Sequence, residues 1–221
     1  IIDCSEAIRL NPQLANAYSN RGLTKEKKGD YEGAITDYSE AIRLNPQDTE
    51  AYMNRGVTKG SKGDYDNAII DFSEAIRLNP QDAKAYSNRG LVKEMKGDYD
   101  GSITDLSEAI RLNPQSAEAY SGRGLSKGSK RDYDNAIIDF SEAIRLNPQS
   151  AEAYSNRGLV KANKGDYEGA IIDCSEAIRL NPQSAEAYSN RGLVKANKGD
   201  YEGAIIDCSE AIRLNPQLAK A

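Results

Sequence analysis

Seven prolines, Pro12, Pro46, Pro80, Pro114, Pro148, Pro182 and Pro216, stand thirty-four residues apart along the whole chain. The segment from Ala151 to Gln183 recurs letter for letter from Ala185 to Gln217, and four looser copies precede it. A fixed period of this length is the signature of a solenoid, in which each unit buries its apolar face only by stacking on its neighbours. Six full copies begin at residues 15, 49, 83, 117, 151 and 185 and fill residues 15–218. Residues 1–14 match 205–218 and correspond to the second helix of a truncated copy; residues 219–221 read as the start of another. Copies two and four resemble each other, as do one and three, so a doublet of two units underlies the shorter period.

Composition fits this arrangement. Apolar residues make up 38% of the chain, fewer than in an ordinary globular domain, as suits a stack with a thin buried layer. The formal charge of −5 argues against nucleic acid or an anionic membrane as partner, because phosphate binding calls for a basic face. No apolar run is long enough to span a bilayer. Cys4, Cys174 and Cys208 occupy one repeat position that elsewhere holds Tyr38, Phe72, Leu106 and Phe140. A slot shared by these residues is a packing slot, where free cysteine acts as a small hydrophobe. Such thiols fit a reducing compartment such as the cytoplasm. Thiols one repeat apart are too distant for an intrachain disulfide.

Each unit reads as two helices. The first covers about fourteen positions, with Asp48, Asp82, Ser116, Ser150 or Ser184 placed to cap it. A Gly-Asp pair such as Gly29-Asp30 ends it and starts the next helix. Arg131 stands where the fourth copy should have that glycine, which predicts strain. In the second helix Tyr31, Ala34, Ile35, Tyr38, Ala41 and Ile42 form one apolar stripe. Asn45-Pro46 stops it, since the residue before proline disfavours the helical region. Arg21 and its equivalents are placed to pair with Asp37 and its equivalents, a contribution of ~0–1 kcal/mol if the pair is exposed. Glu40 and Arg43 make a further pair on a solvated face.

These residues resemble the tetratricopeptide repeat family. Gly22, Gly56, Gly90, Gly124, Gly158 and Gly192 match its eighth-position glycine; Ala34 and Ala41 match its two small residues, with Ser102 substituting once; Pro46 matches its closing proline. The chain departs from the pattern at Tyr18, Arg21 and Lys25, where the family usually has Trp, Leu and Tyr, which implies a more polar seam along the first helix. The resemblance implies an all-α fold, a right-handed superhelical α-solenoid of stacked antiparallel helix pairs.

Nothing in the chain points to catalysis, a cofactor or a metal. Histidine, the commonest general base and metal ligand, is absent, and acids that recur in every copy belong to a scaffold. Helical geometry puts Tyr18, Gly22 and Lys25 on one side of the first helix, and Asn16, Ser19, Asn20, Leu23 and Lys27 on the other. In the family, that second side lines a concave groove. Its sixth position holds Asn20, Asn54, Asn88, Gly122, Asn156 and Asn190, and its ninth an apolar row that includes Leu91 and Leu159. Asparagine offers two donors and an acceptor to an extended peptide backbone. The family's carboxylate-gripping subtype is not expected, since Ser19 and Leu23 fill its key positions and only Lys84 with the asparagines fits. The sequence thus points to a non-catalytic scaffold that binds a protein or peptide. The rivals are self-association through the ends of the stack and service as the interaction arm of a larger enzyme.

Overall fold

The structure, a computed structural model, describes residues 2–217, so the copy expected to start at 219–221 lies outside the described residues. Thirteen α-helices and no strands occur among them. The chain divides into two compact units after Pro114. The first holds α1 (Ile2–Leu10) and three helix pairs: α2 (Ala15–Lys27) with α3 (Tyr31–Leu44), α4 (Thr49–Ser61) with α5 (Tyr65–Leu78), and α6 (Ala83–Lys96) with α7 (Tyr99–Leu112). The second holds α8 (Ala117–Ser129) with α9 (Tyr133–Leu146), α10 (Ala151–Lys164) with α11 (Tyr167–Leu180), and α12 (Ala185–Lys198) with α13 (Tyr201–Leu214). Within each unit the pairs stack as in an α-solenoid, every second helix also packing on the first helix of the next pair.

The helix ends follow from the residues placed there. Asp48 accepts from the Ala51 N–H, Asp82 from Lys84 and Ala85, and Ser116, Ser150 and Ser184 from Ala119, Ala153 and Ala187. Asp30, Asp98, Asp166 and Asp200 cap the second helices through the N–H of Gly33, Gly101, Gly169 and Gly203. Asp64 and Asp132 instead accept from the Asn67 and Asn135 side chains. The turn between paired helices needs a left-handed residue, supplied by Gly29 at φ +81° and its equivalents. Arg131 is forced to φ +64° at the same place, a conformation that costs an L-residue about 1–2 kcal/mol.

The core of each pair is small residues against one large one. Ala34, Tyr38 and Ala41 are fully buried, as are Ala68, Phe72 and Ala75, and Gly22 and Gly56 face the rings of Tyr38 and Phe72. Tyr18 is half-buried: its ring packs on the cluster of Ala41, Ile42 and Ala51, and the Arg21 guanidinium carbon lies 5.5 Å from its centroid. The cysteines are free thiols and divide by neighbour: Cys174 is fully buried where α12 covers α11, Cys4 is half-buried, and Cys208 is exposed. Cys208 keeps the expected packing contact, its Sγ lying against Gly192 as that of Cys174 lies against Gly158, but it is exposed because no described helix lies over that face of α13. Burial pushes the Cys174 thiol up to about 11.

The repeated ion pair is not a surface pair. Asp71 is 1% exposed and accepts from Arg55 Nε at 2.9 Å and Nη2 at 2.7 Å. Lys59 Nζ joins the same carboxylate at 2.8 Å. The third guanidinium edge donates to Ser39 of the preceding pair at 2.9 Å, and the guanidinium sits over Tyr52. One arginine thus ties three helices, and Arg21, Arg89, Arg157 and Arg191 do the same. At Asp37 and Asp207 burial opposes ionisation. Hydrogen bonds from Arg21 and Lys25, and from Arg191 and Lys195, outweigh it and hold both carboxyls below the ordinary range.

Candidate functional site

The first helix of each pair spends one side on packing. In α4, Ala51, Gly56 and Thr58 are buried and Arg55 and Lys59 turn toward Asp71. The other side carries repeat positions two, six and nine and faces open space. In the first unit Asn20 is exposed, Asn54 and Asn88 are half-buried, Leu91 is half-buried and Lys84 is exposed. In the second unit Asn156, Asn190 and Leu159 are all half-buried, while Gly122, which stands at the ladder position of α8, is buried.

Two depressions lie along this side. In the first unit a groove of about 440 Å³ runs between α2 and α4, lined by Asn16, Asn20 and Leu23, by Asp48 at the connecting turn, and by Glu50 and Asn54. In the second unit a narrower one of about 230 Å³ lies between α10 and α12, lined by Glu152, Ser155, Asn156, Ser184 and Glu186. The asparagines are not equivalent. The side chains of Asn20, Asn54, Asn88 and Asn156 make no hydrogen bond within the described residues, so their donors and acceptors are open. Asn190 donates Nδ2 to Ser155 Oγ at 3.0 Å, which fixes its orientation and uses one donor.

The apolar row is divided as well. Leu23, Val57 and Leu193 are exposed, whereas Leu125 packs on the cluster of Ala136, Phe140 and Val160. The row is therefore partly core. Sequence reasoning placed the second repeat position on the open side through Asn16 and Lys84 but passed over its glutamates, Glu50, Glu118, Glu152 and Glu186. Placing Asn16 on the open side carries the signal, since the other copies at that position are mostly acidic. Among the described residues no group of acids, cysteines or histidines is arranged to hold a metal ion, and no helix is long and apolar enough to cross a membrane.

Comparison with known proteins agrees with this architecture. A family described as TPR repeat matches residues 27–60, 61–97 and 95–128, and families described as Tetratricopeptide repeat match 121–185 and 185–218. No curated protein matches the sequence. Among solved structures, MamA is similar at 28% identity over 78% of this chain and 94% of its own, with a TM-score of 0.69. YrrB is similar at 24% identity over 83% of this chain and 95% of its own, with a TM-score of 0.68. A repeat protein from Parabacteroides merdae is similar in fold, at 21% identity over 96% of this chain and 84% of its own, with a TM-score of 0.78. Helix pairing, eighth-position glycines and the family matches across most of the chain lead to one conclusion: the chain belongs to the tetratricopeptide repeat family.

Proposed function

We propose that the protein is a non-catalytic interaction scaffold that holds an extended peptide or partner segment along the open side of its first helices. The observation that carries this reading is the set of unbonded asparagine amides at one repeat position, Asn20, Asn54 and Asn88 in the first unit and Asn156 in the second. Amides without protein partners, exposed at Asn20 and half-buried at the other three, are suited to the donors and acceptors of a peptide backbone. Exposed Leu23 and Val57 beside them offer apolar contact for side chains. YrrB, one of the similar structures, is described as having an unusual peptide-binding site.

A peptide-array screen followed by titration tests the reading. Each Asn→Ala change removes hydrogen bonds worth roughly 0.5–1.5 kcal/mol, so Asn54→Ala with Asn88→Ala weakens binding more than either change alone, at unaltered melting temperature. A hit bound equally by the double variant would refute the ladder.

A further inference from the structure

We infer that the groove of the second unit selects a cationic extended peptide, one with a lysine or arginine about every third residue; the inference rests on the peptide-groove reading above. It comes from asking which charges of this unit remain after folding has used the others. Arg123 and Lys127 are committed to Asp139, Arg157 and Lys161 to Asp173, and Arg191 and Lys195 to Asp207. Arg145, Arg179 and Arg213 are paired with Glu142, Glu176 and Glu210 on their own helices. Lys164 and Lys198 reach Asp134 and Glu168 of the preceding pair. Apart from Arg131 in the α8–α9 turn and Glu202 on α13, the charges left are Glu118, Glu152 and Glu186, which are exposed, have no partner among the described residues and stand at one repeat position on the groove side.

These glutamates are not demanded by the helices they begin. A carboxylate in the first turn does favour a helix, but α6 carries Lys84 at the same position and α2 carries Asn16. Glu152 and Glu186 both line the 230 Å³ groove, with the unbonded Asn156 between them. α8 packs on α10 and α10 on α12. Packed helices lie roughly 8–10 Å apart, and an extended chain in the polyproline II conformation, with three residues per turn at about 3.1 Å each, presents the same face again after about 9 Å. A peptide in that register meets one carboxylate per helix while Asn156 engages its backbone. Charge complementarity of this kind sets selectivity and salt dependence more than raw affinity.

The test uses three labelled dodecapeptides built on Lys-Gly-Ser, Glu-Gly-Ser and Gln-Gly-Ser repeats, titrated by fluorescence anisotropy at about 50 and 200 mM salt. The lysine peptide should bind about tenfold or more tightly than the glutamate peptide and lose severalfold at the higher salt. The triple variant Glu118→Gln, Glu152→Gln, Glu186→Gln should lose about tenfold for the lysine peptide alone, each exposed pair being worth a factor of about two to five. These are exposed, nearly isosteric changes, and circular dichroism confirms that the variant is folded. Equal binding of lysine and glutamine peptides, unaffected in the triple variant but weakened by Asn156→Ala, would overturn the charge inference and leave the peptide groove standing. Lysine-specific binding lost in the triple variant but indifferent to Asn156→Ala would support the charge inference against the asparagine reading. Preference for the glutamate peptide, or no binding by any of the three, would overturn the inference.

Discussion

Gly90 tests the helix pairing most directly. A Cβ built there would stand 2.7 Å from Leu106 Cγ, 3.2 Å from Leu106 Cδ2 and 3.3 Å from Asp105 Cβ. Leu106 is itself fully buried, so it has no free direction in which to retreat. Overpacking of this kind costs about 1–3 kcal/mol, while replacing a helical glycine by alanine returns about 1 kcal/mol of helix propensity. Gly90→Ala is therefore destabilising by ~0–2 kcal/mol net, and Gly90→Leu by more. A chain of this size shifts its melting temperature by about 2–4 °C per kcal/mol. The order expected in thermal circular dichroism is wild type, then Gly90→Ala, then Gly90→Leu. The sign must reverse when Leu106 is removed: Gly90→Ala made on a Leu106→Ala background keeps the propensity gain, loses the clash with Cγ and Cδ2, and becomes stabilising. Unchanged stability in Gly90→Leu, or Gly90→Ala equally harmful in both backgrounds, would refute the argument.

Arg131→Gly relieves the left-handed strain at the α8–α9 turn and should raise stability by about 1–2 kcal/mol, read as a higher melting temperature. Asp71→Ala leaves Arg55 and Lys59 facing each other without their carboxylate and should cost about 3–5 kcal/mol, visible as a lower urea midpoint. The carboxyls of Asp37 and Asp207 sit below their ordinary range. The stability they supply is fully present above about pH 4, the unfolded value, and is lost as pH falls through the folded value; Asp37→Asn should flatten the acid limb of the urea midpoint against pH. Maleimide labelling in native buffer should modify Cys208 first and Cys174 last, because one is exposed and the other is buried with its thiol pushed up to about 11.

The period, the proline stops, the capping residues and the strained Arg131 were all legible because each depends on neighbours a few residues away. Arg21 with Asp37 was legible too, as residues that recur together. That the pair is buried, and that Lys25 shares it, depends on the height at which α2 crosses α3, which spacing along one helix does not encode. The same holds for the leucine row. Position nine lies on the open side by helical angle, yet Leu125 packs on the core of α9 and α10 while Leu23 and Leu193, the same residue at the same position, are exposed, so the neighbours and not the letter decide. The candidate asparagines were placed by angle alone, and only coordinates separate Asn156, which is unbonded, from Asn190, which holds Ser155.

The doublet beneath the thirty-four-residue period has a counterpart in the packing. Position twelve of one pair meets position ten of the next. Gly60 stands where a Cβ would be 3.3 Å from Val92 Cγ2, and Gly128 where it would be 3.2 Å from Val160 Cγ2. Glycine is thus followed by valine, and where position twelve is Glu26 the next copy has the smaller Thr58, fully buried. Glu26 in turn accepts from the Tyr38 hydroxyl at 2.9 Å. Its counterpart Glu94 faces a helix with Leu106 in place of that tyrosine, finds no partner among the described residues, and is raised by burial. A carboxyl raised on folding costs stability once pH exceeds its unfolded value, so the third copy bears a cost that the first avoids with one hydroxyl. Copies that look interchangeable by letter are therefore matched in volume and hydrogen bonding to particular neighbours, and their order along the chain is part of what holds each unit together.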